Sequence, residues 1–189
     1  MIQALLSQQT WLDVRSWRAQ YADILSPEQV SVLSVVTPLT RLLEGKYGMK
    51  LDVHVHDQFV DEMHVEEARL LKSDLHNRCL RRKVSLLCRG EVMFDAESVL
   101  PLDVLPVALM EDLEAGTRPL ADLLSDQGLS LSRSNLSIAQ VQGDGFYAGC
   151  WARRSVLGTS SGVVSGAKAL VTEVFHDAMW RKLTYLLNR

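Results

Sequence analysis

The sequence predicts an α+β fold, a single antiparallel β-sheet with helices on one side. Three observations predict it. Two apolar-rich runs, Leu80–Cys88 and Glu91–Leu100, are separated only by Arg89-Gly90, the spacing of a β-hairpin. Helical segments come as a pair between residues 26 and 48 instead of alternating singly with strands, which argues against a parallel sheet. No internal repeat, low-complexity tract or linker divides the chain, so its 189 residues read as one domain long enough to bury a substantial core.

Residues 1–25 form an N-terminal extension expected to be helical. Ser26-Pro27-Glu28-Gln29 then starts a helix: serine caps, proline takes the first helical position and glutamine the third, and the helix runs to about Val36. Thr37-Pro38 starts a second one with Leu39, Leu42 and Leu43 on one face, ended by Gly45 and Gly48. From Met49 to Val60, Leu51, Val53 and Val55 alternate with Asp52, His54 and His56 as in a half-buried strand, and Gln58 is expected on the histidine face. The hairpin follows, its turn type left open by Arg-Gly alone, and Pro101 stops its second strand. Pro106–Ala115 is helical with Gly116 as its stop, and Arg118-Pro119-Leu120 begins another short turn. Leu129–Val141 and Cys150–Leu157 read as strands around Gly143-Asp144-Gly145. A Gly/Ser-rich loop, Gly158–Gly166, leads to a last strand at Lys168–Phe175. The C-terminal extension, 176–189, carries an amphipathic helix at His176–Asn188 with Trp180, Leu183 and Leu187 on one side, expected to pack on the body or on a second subunit.

Composition narrows the function classes. With 47% hydrophobic and 23% charged residues the chain is globular, neither disordered nor fibrous. A net charge of -3 gives no electrostatic reason to expect nucleic acid, whose phosphates normally need a basic face, so an anionic ligand would need locally placed arginines. Cys79, Cys88 and Cys150 are odd in number and lack metal spacing, which reads as reduced thiols in a reducing compartment. Neither a signal-like N-terminus nor an apolar run of membrane-spanning length occurs, so the expected location is cytoplasmic.

Two charges stand where core side chains belong. In Leu80-Arg82-Val84-Leu86 and Ala169-Val171-Glu173-Phe175, the period of two points Arg82 and Glu173 the same way as their apolar neighbours. Buried ions need partners, so these two either pair with each other or frame a polar ligand. In Trp151-Ala152-Arg153-Arg154, one arginine must face inward if the strand is central; it would extend an anion site or pair with a sheet neighbour. Other motifs carry less. His54 and His56, with His64 and His76 downstream, raise a metal site, but the strand face they share is polar and reads as solvated. Glu66-Glu67 and Glu111-Asp112 diverge around their helix axes and make no acid/base pair. The Gly-rich loop lacks a phosphate-loop lysine, and no serine or cysteine sits in a nucleophile motif.

Five segments in register, Arg82–Glu91, Ser98-Val99-Leu100-Pro101, Arg118-Pro119-Leu120, Trp151–Ser155 and Leu170–Phe175, make residues 37–175 resemble chorismate-pyruvate lyase (4-hydroxybenzoate synthase). The resemblance implies helical flaps enclosing an internal ligand site, and cleavage of chorismate to 4-hydroxybenzoate and pyruvate with no metal and no organic cofactor. It implies that Arg82 takes the ring carboxylate, that Glu173 contacts the 4-oxygen, and that Leu39 and Leu120 close the pocket. A carboxyl whose pKa is raised by burial suits an acceptor or relay for the C4 proton, and two roles stay open for Glu173, to abstract that proton or only to align the hydroxyl. Arg153 is expected to bind substrate as well. The partners are then a small-molecule substrate and its product, with neither nucleic acid nor a membrane span, in a monomer or homodimer supplying quinone or related phenolic biosynthesis.

The chain departs from the family where better-known bacterial members carry Gly-Arg: it has Ala96-Glu97, a charge reversal expected near the ligand entrance. A different class of function, a sensor-like domain that binds an aromatic acid without turnover, stays open, although no segment resembles a helix-turn-helix.

Overall fold

In the computed structural model the described residues are 2, 9–115, 118–126, 130–161 and 164–187. The elements are β1 (Leu12–Asp13), α1 (Val14–Tyr21), α2 (Pro27–Ser34), α3 (Leu39–Tyr47), β2 (Asp52–Glu62), α4 (Val65–Leu71), β3 (Arg78–Cys88) and β4 (Glu91–Pro101). After a 3₁₀ turn come α5 (Val107–Ala115), α6 (Leu120–Asp126), β5 (Ser130–Gln140), β6 (Trp151–Ser161), β7 (Val164–Phe175) and α7 (Asp177–Leu187). One seven-stranded sheet in the order β1-β5-β6-β7-β4-β3-β2 joins the strands, antiparallel throughout. Gly116, Leu129, Asn188, residues 3–8 of the N-terminal extension and residues 162–163 of the Gly/Ser-rich segment lie outside the described residues.

Local chemistry starts and stops these elements. Ser26 Oγ accepts from the Gln29 amide at 3.2 Å and the Gln29 side chain accepts from the Ser26 amide at 3.0 Å, a reciprocal cap on α2 with Pro27 behind it. Gly45 lies inside α3, and Gly48 alone ends that helix, in a left-handed conformation (φ 63°) that glycine adopts without steric cost. Arg89 and Gly90 both have positive φ, 53° and 82°, the signature of a type I′ hairpin turn.

Residues 158–161 and 164–166 are strand where composition suggests loop. They form the facing ends of β6 and β7, which pair Ser160 with Ser165 and Ser161 with Val164. Ladder hydrogen bonds across a long hairpin outweigh the weak strand preference of glycine and serine.

Helices cover both faces unequally. α1, α2, α3, α5, α6 and α7 pack on one, through a cluster around Trp17, Leu33, Leu43, Phe94 and Phe175 and a second around Leu100, Leu109, Leu113, Leu124 and Leu157. α4 lies on the other, where Ala68 and Leu71 join Cys79, Val99 and Leu170. Between the two clusters of the first face the sheet changes character. Each central strand interrupts its apolar row there: Leu80-Arg82-Val84 on β3, Ala96-Ser98-Leu100 on β4, Trp151-Arg153-Ser155-Leu157 on β6 and Val171-Glu173-Phe175 on β7. Pairing aligns the interruptions, Arg82 opposite Ser98 and Arg153 opposite Glu173, so a polar belt crosses an otherwise apolar face.

Candidate functional site

The belt floors a cavity, partly open to solvent, roofed by Leu39 and Thr40 of α3 and by Pro119, Leu120 and Ala121 at the start of α6. Arg82, Ser98, Arg133 and Glu173 supply its polar floor; Val53, Val84, Phe94, Ala96, Leu157 and Val171 are among its apolar lining. Leu39 and Leu120, the residues the resemblance implies close a pocket, are the first positions of α3 and α6 and both line this cavity.

Arg82 and Glu173 share this chamber but do not pair. Glu173, 4% exposed, receives two hydrogen bonds from Arg153, Nε to Oε2 at 2.5 Å and Nη2 to Oε1 at 3.1 Å, and Arg133 Nη2 stands 3.6 Å from Oε1. Arg82 is 1% exposed and, among the described residues, makes no ion pair with a carboxylate. Its Nη2 donates to the Arg118 carbonyl at 3.1 Å, and its Nε has no partner among the described residues. Burial alone therefore lowers the Arg82 pKa. Thr40 Oγ1 and Arg133 Nε are also buried without a partner among the described residues, and all three residues line the cavity. Orphaned buried polar atoms converging on one space are the mark of a site completed by a polar ligand.

The pKa expected for Glu173 is corrected in direction. Burial pushes it up, but the Arg153 and Arg133 guanidiniums and the Arg153 hydrogen bonds outweigh burial and hold the carboxyl below its ordinary value. Arg153 is fully buried, yet it turns to Glu173 and, through Nη1, to the carbonyls of Val32 at 2.9 Å and Val35 at 3.3 Å; it is not among the residues lining the cavity. It fixes the carboxylate and ties the end of α2 to the sheet.

Arg133 escaped the sequence reading because β5 carries a bulge. Ser134 pairs with Val156 but Ser137 with Arg154, so one extra residue reverses the alternation, with Asn135 at φ 53°. Ile138 and Arg133 consequently face the same side although their numbers differ by an odd count. A second bulge, at Val55/Asp57 of β2, puts Gln58 opposite Arg82 and not on the histidine face. His54 and His56 remain exposed as expected, stacked edge to face at 4.8 Å, with His56 Nε2 2.6 Å from Ser85 Oγ. Among the described residues no group of three or more His, Cys, Asp or Glu side chains is arranged to hold a metal ion.

Glu97 also stands elsewhere than expected. It is fully buried on the opposite face of the sheet, 3.0 Å from Arg81 Nη1, because β4 alternates and Ala96, not Glu97, faces the cavity. The charge reversal at Ala96-Glu97 therefore serves a second buried network, in which Arg81 also meets Glu67 at 2.8 Å and Asp61 at 3.2 Å.

A family model described as chorismate lyase matches residues 5–184 of the chain. No curated protein matches it. Among solved structures, the effector domain of PhnF from Mycobacterium smegmatis is 12% identical with a TM-score of 0.57, over 75% of this chain and 89% of that one. The longer structure of PhnF from the same organism gives 11% identity and a TM-score of 0.57, over 94% of this chain and 93% of that one. A GntR-family transcriptional regulator from Bacillus cereus is 8% identical with a TM-score of 0.50, over 68% of this chain and 92% of that one. At such identities these structures share the fold and nothing more specific. No helix among the described residues is long and apolar enough to cross a membrane.

Proposed function

The chain belongs to the chorismate lyase family, and from that premise we propose that it eliminates pyruvate from chorismate to give 4-hydroxybenzoate. The observation that carries the reading is Arg82: a guanidinium 1% exposed, without a carboxylate partner among the described residues, lining the same cavity as Glu173. A ring carboxylate supplies what Arg82 lacks, and a two-pronged guanidinium–carboxylate contact in a dry site is far stronger than in water.

With the ring carboxylate at Arg82, the ring's far end reaches Glu173. Held ionised by two arginines, Glu173 is a strong hydrogen-bond acceptor for the 4-hydroxyl and a poor proton acceptor, so its role is to orient the ring. Arg153 acts through Glu173 as a positioning residue. Leu39 and Leu120 cover the bound ring and exclude water. The C4–H electron pair becomes the new ring double bond, the C3–O bond breaks with its pair going to oxygen, and the C4 proton leaves with the three-carbon fragment as pyruvate. Aromaticity drives the step, and the roles assigned to the chain use neither a metal nor an organic cofactor. A cytoplasmic enzyme of this kind would supply 4-hydroxybenzoate to quinone or related phenolic biosynthesis.

Incubation of the purified protein with chorismate tests the reading. Pyruvate and 4-hydroxybenzoate should appear in equal amounts above the uncatalysed background; their absence rejects it. The fold shared with ligand-binding domains of regulators favours one other reading, a domain that holds an aromatic acid without turnover. Tight binding of 4-hydroxybenzoate with no pyruvate release would select it.

A further inference from the structure

We propose that Arg133 takes the second carboxylate of a dianionic substrate and faces the oxygen that departs from the ring. The inference rests on the lyase reading and adds a residue to it. The Arg133 side chain is 4% exposed and lines the cavity. Its Nη1 donates to Ser155 Oγ at 2.6 Å, its Nη2 is 3.6 Å from Glu173, and its Nε has no partner among the described residues. Arg153 already occupies both oxygens of Glu173.

Among the described residues of this face three buried guanidiniums, Arg82, Arg133 and Arg153, therefore confront one carboxylate. A monoanion at Arg82 leaves one buried cation unmatched. A dicarboxylate matches both, which is the charge a buried site needs. The positions agree with the chemistry. If Glu173 holds the oxygen on C4, the neighbouring ring carbon C3 carries the enolpyruvyl ether, and the group beside Glu173 is Arg133. As the C3–O bond breaks, negative charge grows on that oxygen, and a guanidinium already fixed against it stabilises the transition state without reorganising. Burial pulls the Arg133 pKa down to about 10, still charged at neutral pH.

Titration calorimetry with two stable ligands tests this. 4-Hydroxybenzoate is the monoanion; 3-(carboxymethoxy)-4-hydroxybenzoate carries a second carboxylate at the C3 side and cannot eliminate. Wild type should bind the dicarboxylate more tightly. Arg133→Gln should weaken the dicarboxylate on the order of 100-fold and 4-hydroxybenzoate by less than about threefold, with Arg133→Lys recovering part of the loss. Equal weakening of both ligands would mean that Arg133 only supports the fold, and no weakening of either would mean that it touches no ligand; both overturn the proposal. Thermal unfolding checks that the variants fold, and Arg133→Lys carries the same two-ligand comparison if Arg133→Gln does not. Pyruvate release from chorismate by a wild type that shows no preference for the dicarboxylate would remove the role of Arg133 and keep the lyase. The preference without pyruvate release would keep the dianion site and remove the lyase, and binding of neither ligand would end both.

Discussion

Arg81 and Arg82 are neighbours in the chain, both 1% exposed or less, and the sheet sends them to opposite faces and opposite circumstances. Arg81 meets Glu67, Glu97 and Asp61; although burial works against its charge, the Glu67 and Glu97 carboxylates outweigh burial and raise its pKa. Among the described residues Arg82 meets a single carbonyl, and burial lowers its pKa unopposed. Acids predominate on the Arg81 face, where Asp61, Glu66, Glu67 and Glu97 surround Arg81 and Arg154. Guanidiniums predominate on the Arg82 face. A buried ion with a complete set of partners belongs to the fold, and one without belongs to a ligand.

Substitution at the two positions should therefore separate activity from stability. Arg82→Met should lower kcat/KM for chorismate by about 10³-fold, since a buried donor aimed at substrate charge is lost. The same change should leave stability to urea equal or higher by about 1 kcal/mol, because it removes an uncompensated buried charge. Arg81→Met should do the reverse. It strands Glu67 and Glu97 in the interior and should cost about 3–5 kcal/mol in urea unfolding, while the folded fraction turns over chorismate nearly as wild type does. Equal stability losses in the two variants would erase the distinction.

Acid titration sharpens it. The Glu173 pKa is lowered in the folded protein, so its contribution to stability is full above the ordinary carboxylate range and is lost as pH falls through the lowered value. Glu173→Gln should be less stable than wild type at pH 7 by about 3 kcal/mol, because Arg153 and Arg133 lose their counter-charge. Denaturant unfolding between pH 7 and pH 3 should show that deficit shrinking toward acid, as the wild-type carboxyl protonates; a deficit constant with pH would show that Glu173 is not held ionised.

The smallest effect concerns the bulge that aims Arg133. Asn135 at φ 53° occupies a conformation that a β-branched side chain tolerates poorly. Asn135→Gly should be neutral and Asn135→Val should cost about 1–2 kcal/mol by thermal or urea unfolding. If valine is as well tolerated as glycine, the bulge is not what sets the direction of β5.

The pattern of what the sequence discloses follows from the same geometry. Alternation within one strand suffices to turn Arg82 and Glu173 inward, because β3 and β7 keep their period through the centre of the sheet. It fails wherever a bulge shifts the count, which conceals Arg133 and turns Gln58 toward the face of Arg82. Alternation within β4 also places Glu97 away from the cavity, against the expectation drawn from resemblance. Partners supplied by distant segments leave no local trace. The pKa of Glu173 depends on Arg153 and Arg133 from two other strands, and the strand ends at residues 158–161 and 164–166 depend on each other more than on their own composition.

The most direct measurement is the affinity of 4-hydroxybenzoate for wild type, Arg82→Met and Arg81→Met by titration calorimetry. An unpartnered guanidinium that seats the ring carboxylate predicts tight binding to wild type, a loss on the order of 100-fold or more in Arg82→Met, and near-wild-type affinity in folded Arg81→Met. Equal affinity in Arg82→Met and wild type would contradict it.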